Sequence, residues 1–194
     1  MPVCAIAGMI RWDGWEPDEE GLPDAMAQGG TYRRGPARLE AADPEGTGQP
    51  ILLPARGGMA VVYDGELHNA RELRGELAAL GHRFEGCSGV ETAAHAYAEW
   101  GADCVKRFDG IFALAVWEEE GRRLFLARDR MGVKPLLFTL TGERLCFASG
   151  GETLPQFPGC GALQDVRELE SACCAYFSRA GWRTWRYWTP ADRP

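Results

Sequence analysis

The chain has 194 residues, with 28 acidic and 21 basic side chains and a formal net charge of −7. That length suits a single domain, and 45% hydrophobic against 25% charged residues is enough for a packed core. An acidic chain whose only lysines are Lys106 and Lys134 lacks the basic field that phosphate backbones require, so nucleic acid is not expected as a partner.

In chain order, Cys4–Arg11 is apolar on both faces and short, which predicts a buried strand. The Gly-, Pro- and charge-rich stretch from Asp13 to Pro54 predicts loop, with one weak helix near Leu22–Gln28. Met59–Tyr63 predicts a second strand, closed by the turn pair Asp64-Gly65. Asn69-Ala-Arg-Glu72 and Ser88-Gly-Val-Glu91 both have the spacing of a capping box and predict two helix starts. Leu73, Leu77 and Leu80 line one face of the first helix; Val90, Ala94 and Tyr97 line the second, which Gly101 ends. Ile111–Trp117, Leu124–Ala127, Leu136–Leu140 and Leu145–Ala148 then predict four strands of an antiparallel meander. Cys174–Phe177 and Trp182–Trp188 predict a final hairpin around Ala180-Gly181. Strands at both ends with helices between them indicate an α+β layered domain.

The seven cysteines are scattered without a C-x-x-C spacing, and His68, His82 and His95 do not pair with them at zinc-finger intervals, so no metal is expected. They predict mostly reduced, buried thiols of a cytoplasmic protein. Met1-Pro2-Val3-Cys4 has neither a basic region nor a long apolar stretch, and nothing approaches the ~20 apolar residues of a membrane helix.

Beyond pattern, the chain carries an ordered series of motifs. Cys4-Ala-Ile-Ala-Gly8, Arg38-Leu39, Asp43, Gly48-Gln49-Pro50 and Asp64-Gly65-Glu66-Leu67-His68-Asn69 follow one another in order. Glu91, His95-Ala-Tyr97, Phe108-Asp-Gly-Ile-Phe-Ala113, Leu126-Ala-Arg-Asp-Arg-Met-Gly-Val-Lys-Pro-Leu136, Phe147-Ala-Ser149 and Arg186-Tyr-Trp188 continue the series. This succession resembles the class II glutamine amidotransferase domain at the N-terminus of glutamine-hydrolysing asparagine synthetases.

The resemblance implies a four-layer αββα sandwich of the N-terminal-nucleophile hydrolases, with two antiparallel sheets between helical layers. It implies an amidotransferase domain over 1–190, the start of a linker over 191–194, and no synthetase domain within the chain. ATP and magnesium would belong to that absent domain, and no cofactor is expected in this one. In such domains a first-residue cysteine attacks the side-chain amide of glutamine, and its own α-amine, with a pKa of ~7.7–8.0, serves as base. Carried over by position, Cys4 is the nucleophile, Arg38 holds the α-carboxylate of glutamine, Gly65 offers its N–H to the oxyanion and Glu66 helps hold the amino-acid end.

Four departures accompany this frame. Cys4 follows three residues, so its nitrogen is an amide and not a base. Asp64 stands where the resemblance implies an oxyanion-binding asparagine, and an ionised carboxylate donates no hydrogen bond. Gly89 stands where it implies an aspartate that pairs with the glutamine ammonium. Tyr32-Arg-Arg-Gly-Pro36 runs at once into Ala37-Arg38, where a longer excursion over the pocket is implied. Together they indicate a degenerate glutaminase. Two readings follow: an enzyme that releases ammonia from glutamine for a synthetase domain or chain, and a non-catalytic module that scaffolds, regulates or binds a related amino acid. Self-association into a homo-oligomer is open in both.

Overall fold

The computed structural model of the protein describes residues 6–13, 30–42, 48–150, 154 and 165–192. Its strands are β1 (Ile6–Arg11), β2 (Gly30–Arg34), β3 (Ala37–Ala41), β4 (Ile51–Leu53), β5 (Met59–Leu67), β6 (Gly110–Glu118), β7 (Arg123–Arg128), β8 (Leu137–Thr141), β9 (Arg144–Ala148), β10 (Arg167–Glu168), β11 (Cys173–Ser178) and β12 (Gly181–Arg186). Three helices, α1 (Ala70–Ala79), α2 (Gly89–Trp100) and the single turn α3 (Cys104–Arg107), lie between β5 and β6.

Two six-stranded sheets result, ordered β10-β8-β9-β1-β3-β2 and β12-β11-β7-β6-β5-β4. Every pairing among the described residues is antiparallel. The α+β sandwich is as the sequence implies. Alternation along each strand divides the apolar side chains between two faces. Ile6, Ile10, Ala37, Leu39, Ala60, Val62, Ala113, Ala115 and Trp117 fill the space between the sheets. Met59, Val61, Tyr63, Leu67, Leu114 and Val116 meet Leu73, Leu77, Ala93 and Tyr97 of the helices on the far side of the second sheet. Ala7, Met9, Cys146 and Ala148 of the first sheet's outer face meet Leu154. Among the described residues helices cover the second sheet alone, so three of the four implied layers are seen.

Several local expectations need correction. The predicted loop from Asp13 to Pro54 contains β2, β3 and β4. Thr31, Arg33 and Arg38 on the outer face of β2 and β3 hide the inward alternation of Tyr32, Ala37, Leu39 and Ala41. Gly35, at φ 53°, and Pro36 join the two strands in a tight turn. The predicted Leu22–Gln28 helix lies outside the described residues. Asp64-Gly65 is no turn: β5 passes through it to Leu67, in register with β6 from Met59 opposite Glu118 to Leu67 opposite Gly110. The predicted meander is two hairpins in different sheets, because the chain crosses from the second sheet to the first between β7 and β8.

Both helices start at the predicted caps, Asn69 and Ser88, but neither forms the full capping box. Asn69 does not cap α1 through its side chain; its amide accepts from Asp109 N–H and donates to Arg107 C=O, tying the helix start to the loop before β6. Ser88 caps α2 by accepting from Glu91 N–H, while the Glu91 carboxylate takes the N–H groups of Glu85 and Gly86. Leu80 is exposed. Cys104, Cys173 and Cys174 are buried free thiols, Cys87 is an exposed one, and Cys146 is disulfide-bonded. No helix among the described residues is long and apolar enough to cross a membrane.

Candidate active site

The end of β5 carries the distinctive residues. Val62 points between the sheets, so Asp64, two residues on, points there too, and it is buried. Its Oδ1 lies 2.7 Å from Nζ of Lys134. A buried carboxylate needs such a partner, since an unpaired charge in this position costs several kcal/mol.

Gly65 has φ 144°, and a Cβ there would collide with the carbonyl oxygen of Ile111 across the ladder. Only glycine fits. Tyr63 donates its N–H away from β6, to Oε1 of Gln49 at 2.7 Å. By strand periodicity the N–H of Gly65 is directed to the same edge, beyond Ile51 where β4 begins. The Gly48-Gln49-Pro50 block thus borders the site, and the close approach of Gly30 to the Gln49 carbonyl brings the start of β2 against it. Glu66 is exposed at the rim.

Lys134, which sequence reasoning did not single out, is held firmly by its backbone. Asp129 is fully buried, and its carboxylate accepts the N–H groups of Met131, Val133 and Lys134 at 3.0 Å and of Phe112 at 3.3 Å. Arg128 spans the same crossing from the other side: it donates to the carbonyls of Lys134, Gly132 and Leu169 at 2.7–2.8 Å. Both backbone polar groups of Lys134 are therefore fixed by charged side chains, which anchors the base of its side chain, and the Asp64 carboxylate holds its ammonium. The only signals for it were its place in the Arg128–Pro135 block and the scarcity of lysine.

Cys4 lies outside the described residues, two positions before β1. The start of β1 lies at this same end of the sandwich: Ala7 is opposite Ala148, Ala148 is opposite Leu137, and Lys134 leads into Leu137. Ser149 fixes that end by giving its N–H to Ile6 C=O and accepting Ile6 N–H on Oγ.

Gly89 opens α2 on the helix side of β5. A Cβ built there would stand 3.8 Å from Leu67 Cβ and 3.9 Å from Tyr63 Cε1, so the position has room for a side chain. Tyr63 Oη, nearby, is buried without a hydrogen-bond partner among the described residues, and burial pushes its phenol above the ordinary range. Arg38 stands apart. It faces outward from the first sheet, opposite Met9 and Arg33, beside Glu40 on the same face. Burial pushes the Glu40 carboxyl up to about 7 against the opposing pull of Arg33 and Arg38. The described residues thus gather Asp64, Gly65, Glu66, Gly89 and Lys134 at one end of β5 and leave Arg38 on the far face of the other sheet. No cluster of three or more metal-ligating side chains occurs among them.

Comparison with known proteins agrees with this frame. Residues 15–186 match the family described as the glutamine amidotransferase domain. Asparagine synthetase [glutamine-hydrolyzing] 3 of Bacillus subtilis is 37% identical over 225 aligned positions, which take in 96% of this chain and 36% of that protein. Because 225 positions exceed the 194 residues of this chain, segments of that relative have no counterpart here. A putative glutamine-hydrolyzing asparagine synthetase of Mycobacterium tuberculosis is 37% identical over 173 residues, 86% of this chain and 25% of its own. The chain therefore spans about a third or less of the length of these relatives.

Solved structures share the fold. Glutamine phosphoribosylpyrophosphate amidotransferase from B. subtilis, complexed with ADP and GMP, superposes with a TM-score of 0.67 at 19% identity over 95% of this chain and 43% of its own. A glutamine aminotransferase class-II domain protein from Silicibacter pomeroyi gives 0.60 at 14% identity over 97% and 100%. With order, register and motif in agreement, this chain belongs to the class II glutamine amidotransferase domain family, of the asparagine synthetase type.

Proposed function

We propose that the chain binds glutamine at the end of β5 and hydrolyses it to glutamate and ammonia through Cys4, slowly and only when Cys4 is the first residue of the protein. The supporting observation is the Asp64-Gly65-Glu66 terminus of β5. Gly65 directs its N–H to the strand edge beyond β4, where no described residue is paired with it, as an oxyanion donor requires, and the start of β1 lies at the same end of the sandwich. The thiolate of Cys4 attacks the amide carbon and gives a thioester and ammonia, and water then releases glutamate. The ammonia would pass to a synthetase domain or chain.

Two features set the turnover low. Asp64 cannot itself donate as an amide does, and an oxyanion donor left unreplaced costs ~10²–10³ in turnover. Gly89 offers no carboxylate to the substrate ammonium. These same features favour the second reading, a non-catalytic module that binds an amino acid.

A glutaminase assay on protein whose terminus is Cys4, beside a Cys4→Ala control, separates the two. Activity that vanishes in the control supports the enzyme, whereas equal traces in both leave the binding module. The intact mass of protein from its native host shows whether Pro2 and Val3 are removed.

A further inference from the structure

We infer that Lys134 supplies the electrophilic N–H at the oxyanion position, so that the Asp64–Lys134 pair does together what a neutral amide would do alone. The inference rests on the glutamine reading above and adds to it a residue 70 positions away in the chain.

Three observations carry it. First, Asp64 alone is unsuited to its place: it is a buried carboxylate aimed into the space between the sheets, next to Gly65, whose backbone N–H is directed to the edge beyond β4. Left unpaired it would repel a negative charge developing on a substrate oxygen. Second, the ammonium of Lys134 sits 2.7 Å from Asp64 Oδ1. One N–H serves that carboxylate and cancels its charge, and the ammonium has two more to offer. Third, Lys134 is not a mobile surface lysine. Its N–H is held by Asp129 at 3.0 Å and its C=O by Arg128 at 2.7 Å, and its side chain is half-buried. Pre-set donors of this kind stabilise a transition state without reorganising during the reaction.

In the acylation step the sulfur of Cys4 forms a bond to the amide carbon, and the carbonyl π pair moves onto oxygen. The Lys134 ammonium and the Gly65 N–H hold that oxygen. The pair returns to carbon as the C–N bond breaks, and nitrogen leaves as ammonia with the proton the thiol had given to the base. Lys134 keeps all its protons throughout.

The test reads the oxyanion without needing turnover. The γ-aldehyde analogue of glutamine adds a thiolate to give a tetrahedral hemithioacetal whose oxygen occupies the oxyanion position. Its binding to the full chain is compared with that of glutamate by calorimetry at pH 8.5, where a thiol is partly ionised without an adjacent base. The wild type should prefer the aldehyde by roughly tenfold or more, and Cys4→Ala should abolish that preference. Lys134→Met should lose it as well, and Lys134→Arg should keep most of it. The double variant Asp64→Asn with Lys134→Met should regain it, because an amide again faces the oxygen. Melting temperatures of all variants identify any that fail to fold, and the Arg variant and the double variant decide the matter if Lys134→Met is among them. An undiminished aldehyde preference in Lys134→Met overturns the inference, as does glutamate binding with no aldehyde preference in the wild type. If neither ligand binds to any variant, the glutamine reading falls and takes this inference with it.

Discussion

Gly89 and Tyr63 face each other across the gap between α2 and β5: a Cβ on Gly89 would lie 3.9 Å from Tyr63 Cε1, beside a hydroxyl that is buried without a partner among the described residues. The backbone of Gly89 is helical, so a side chain there meets neither a clash nor a forbidden φ. Gly89→Asp should therefore fold. A non-glycine residue in the first turn of a helix gains about 0.5–1 kcal/mol over glycine, and a carboxylate at that helix start adds a few tenths of a kcal/mol through the dipole. The melting temperature should rise by about 1–4 °C. In protein whose terminus is Cys4, the KM for glutamine should fall several-fold with little change in kcat, because the new carboxylate binds the ammonium of substrate and transition state alike.

Gly65 behaves in the opposite way. At φ 144°, with the Ile111 carbonyl where a Cβ would go, Gly65→Ala must shift backbone in one of the two longest strands. A cost of about 1–3 kcal/mol is expected, seen as a melting temperature lower by roughly 3–10 °C. Any glutaminase activity should be lost with it, because the Gly65 N–H no longer faces the site. Retained activity at a lowered melting temperature would remove Gly65 from the oxyanion site.

What was legible in the chain follows from how local each signal is. β6, β7 and α2 announce themselves through runs and periods that their own residues complete. β2 and β3 do not, because arginines on their outer face mask the inward alternation of Tyr32, Leu39 and Ala41. Asp64-Gly65 has the composition of a turn, and only the register with Ala113 and Phe112 shows that it continues a strand. The contiguous Asp64-Gly65-Glu66 could be named as candidate site residues from the motif. Lys134 could not, since its meeting with Asp64 depends on the crossing between sheets that buried Asp129 organises. Motif also assigns identity without direction: Arg38 matches by position, yet its strand turns it to the outer face.

Asp129 should be the residue on which that crossing depends. Its carboxylate accepts four backbone N–H groups, and Asp129→Asn would replace one accepting oxygen with an amide that can only donate. Two of the four bonds are lost and buried donors are left facing donors, at about 3 kcal/mol. Thermal unfolding should begin roughly 6–12 °C lower. Hydrogen exchange at Met131, Val133 and Lys134 should quicken far more than at Leu124–Ala127 of β7. Uniform acceleration across both segments would mean that Asp129 supports the whole sheet and not the crossing.

Glu40 gives the fold a pH dependence of definite sign. Burial raises its carboxyl to about 7, from an ordinary value of 4.5, while Arg33 and Arg38 oppose the shift. The folded state thus holds this proton more tightly than the unfolded chain does. Its contribution to stability is complete below about pH 4.5 and is lost as the pH rises through about 7. In Glu40→Gln the neutral form is permanent, so the variant and the wild type should have the same urea midpoint at pH 4.5. At pH 8 the variant should be the more stable by about 1–3 kcal/mol, the upper end being the whole shift and the lower end the same shift screened by solvent. A wild type that is equally or more stable at pH 8 would show that Arg33 and Arg38 hold Glu40 as an ion pair, and that the outer face of β3 is built on charge and not on a shared proton.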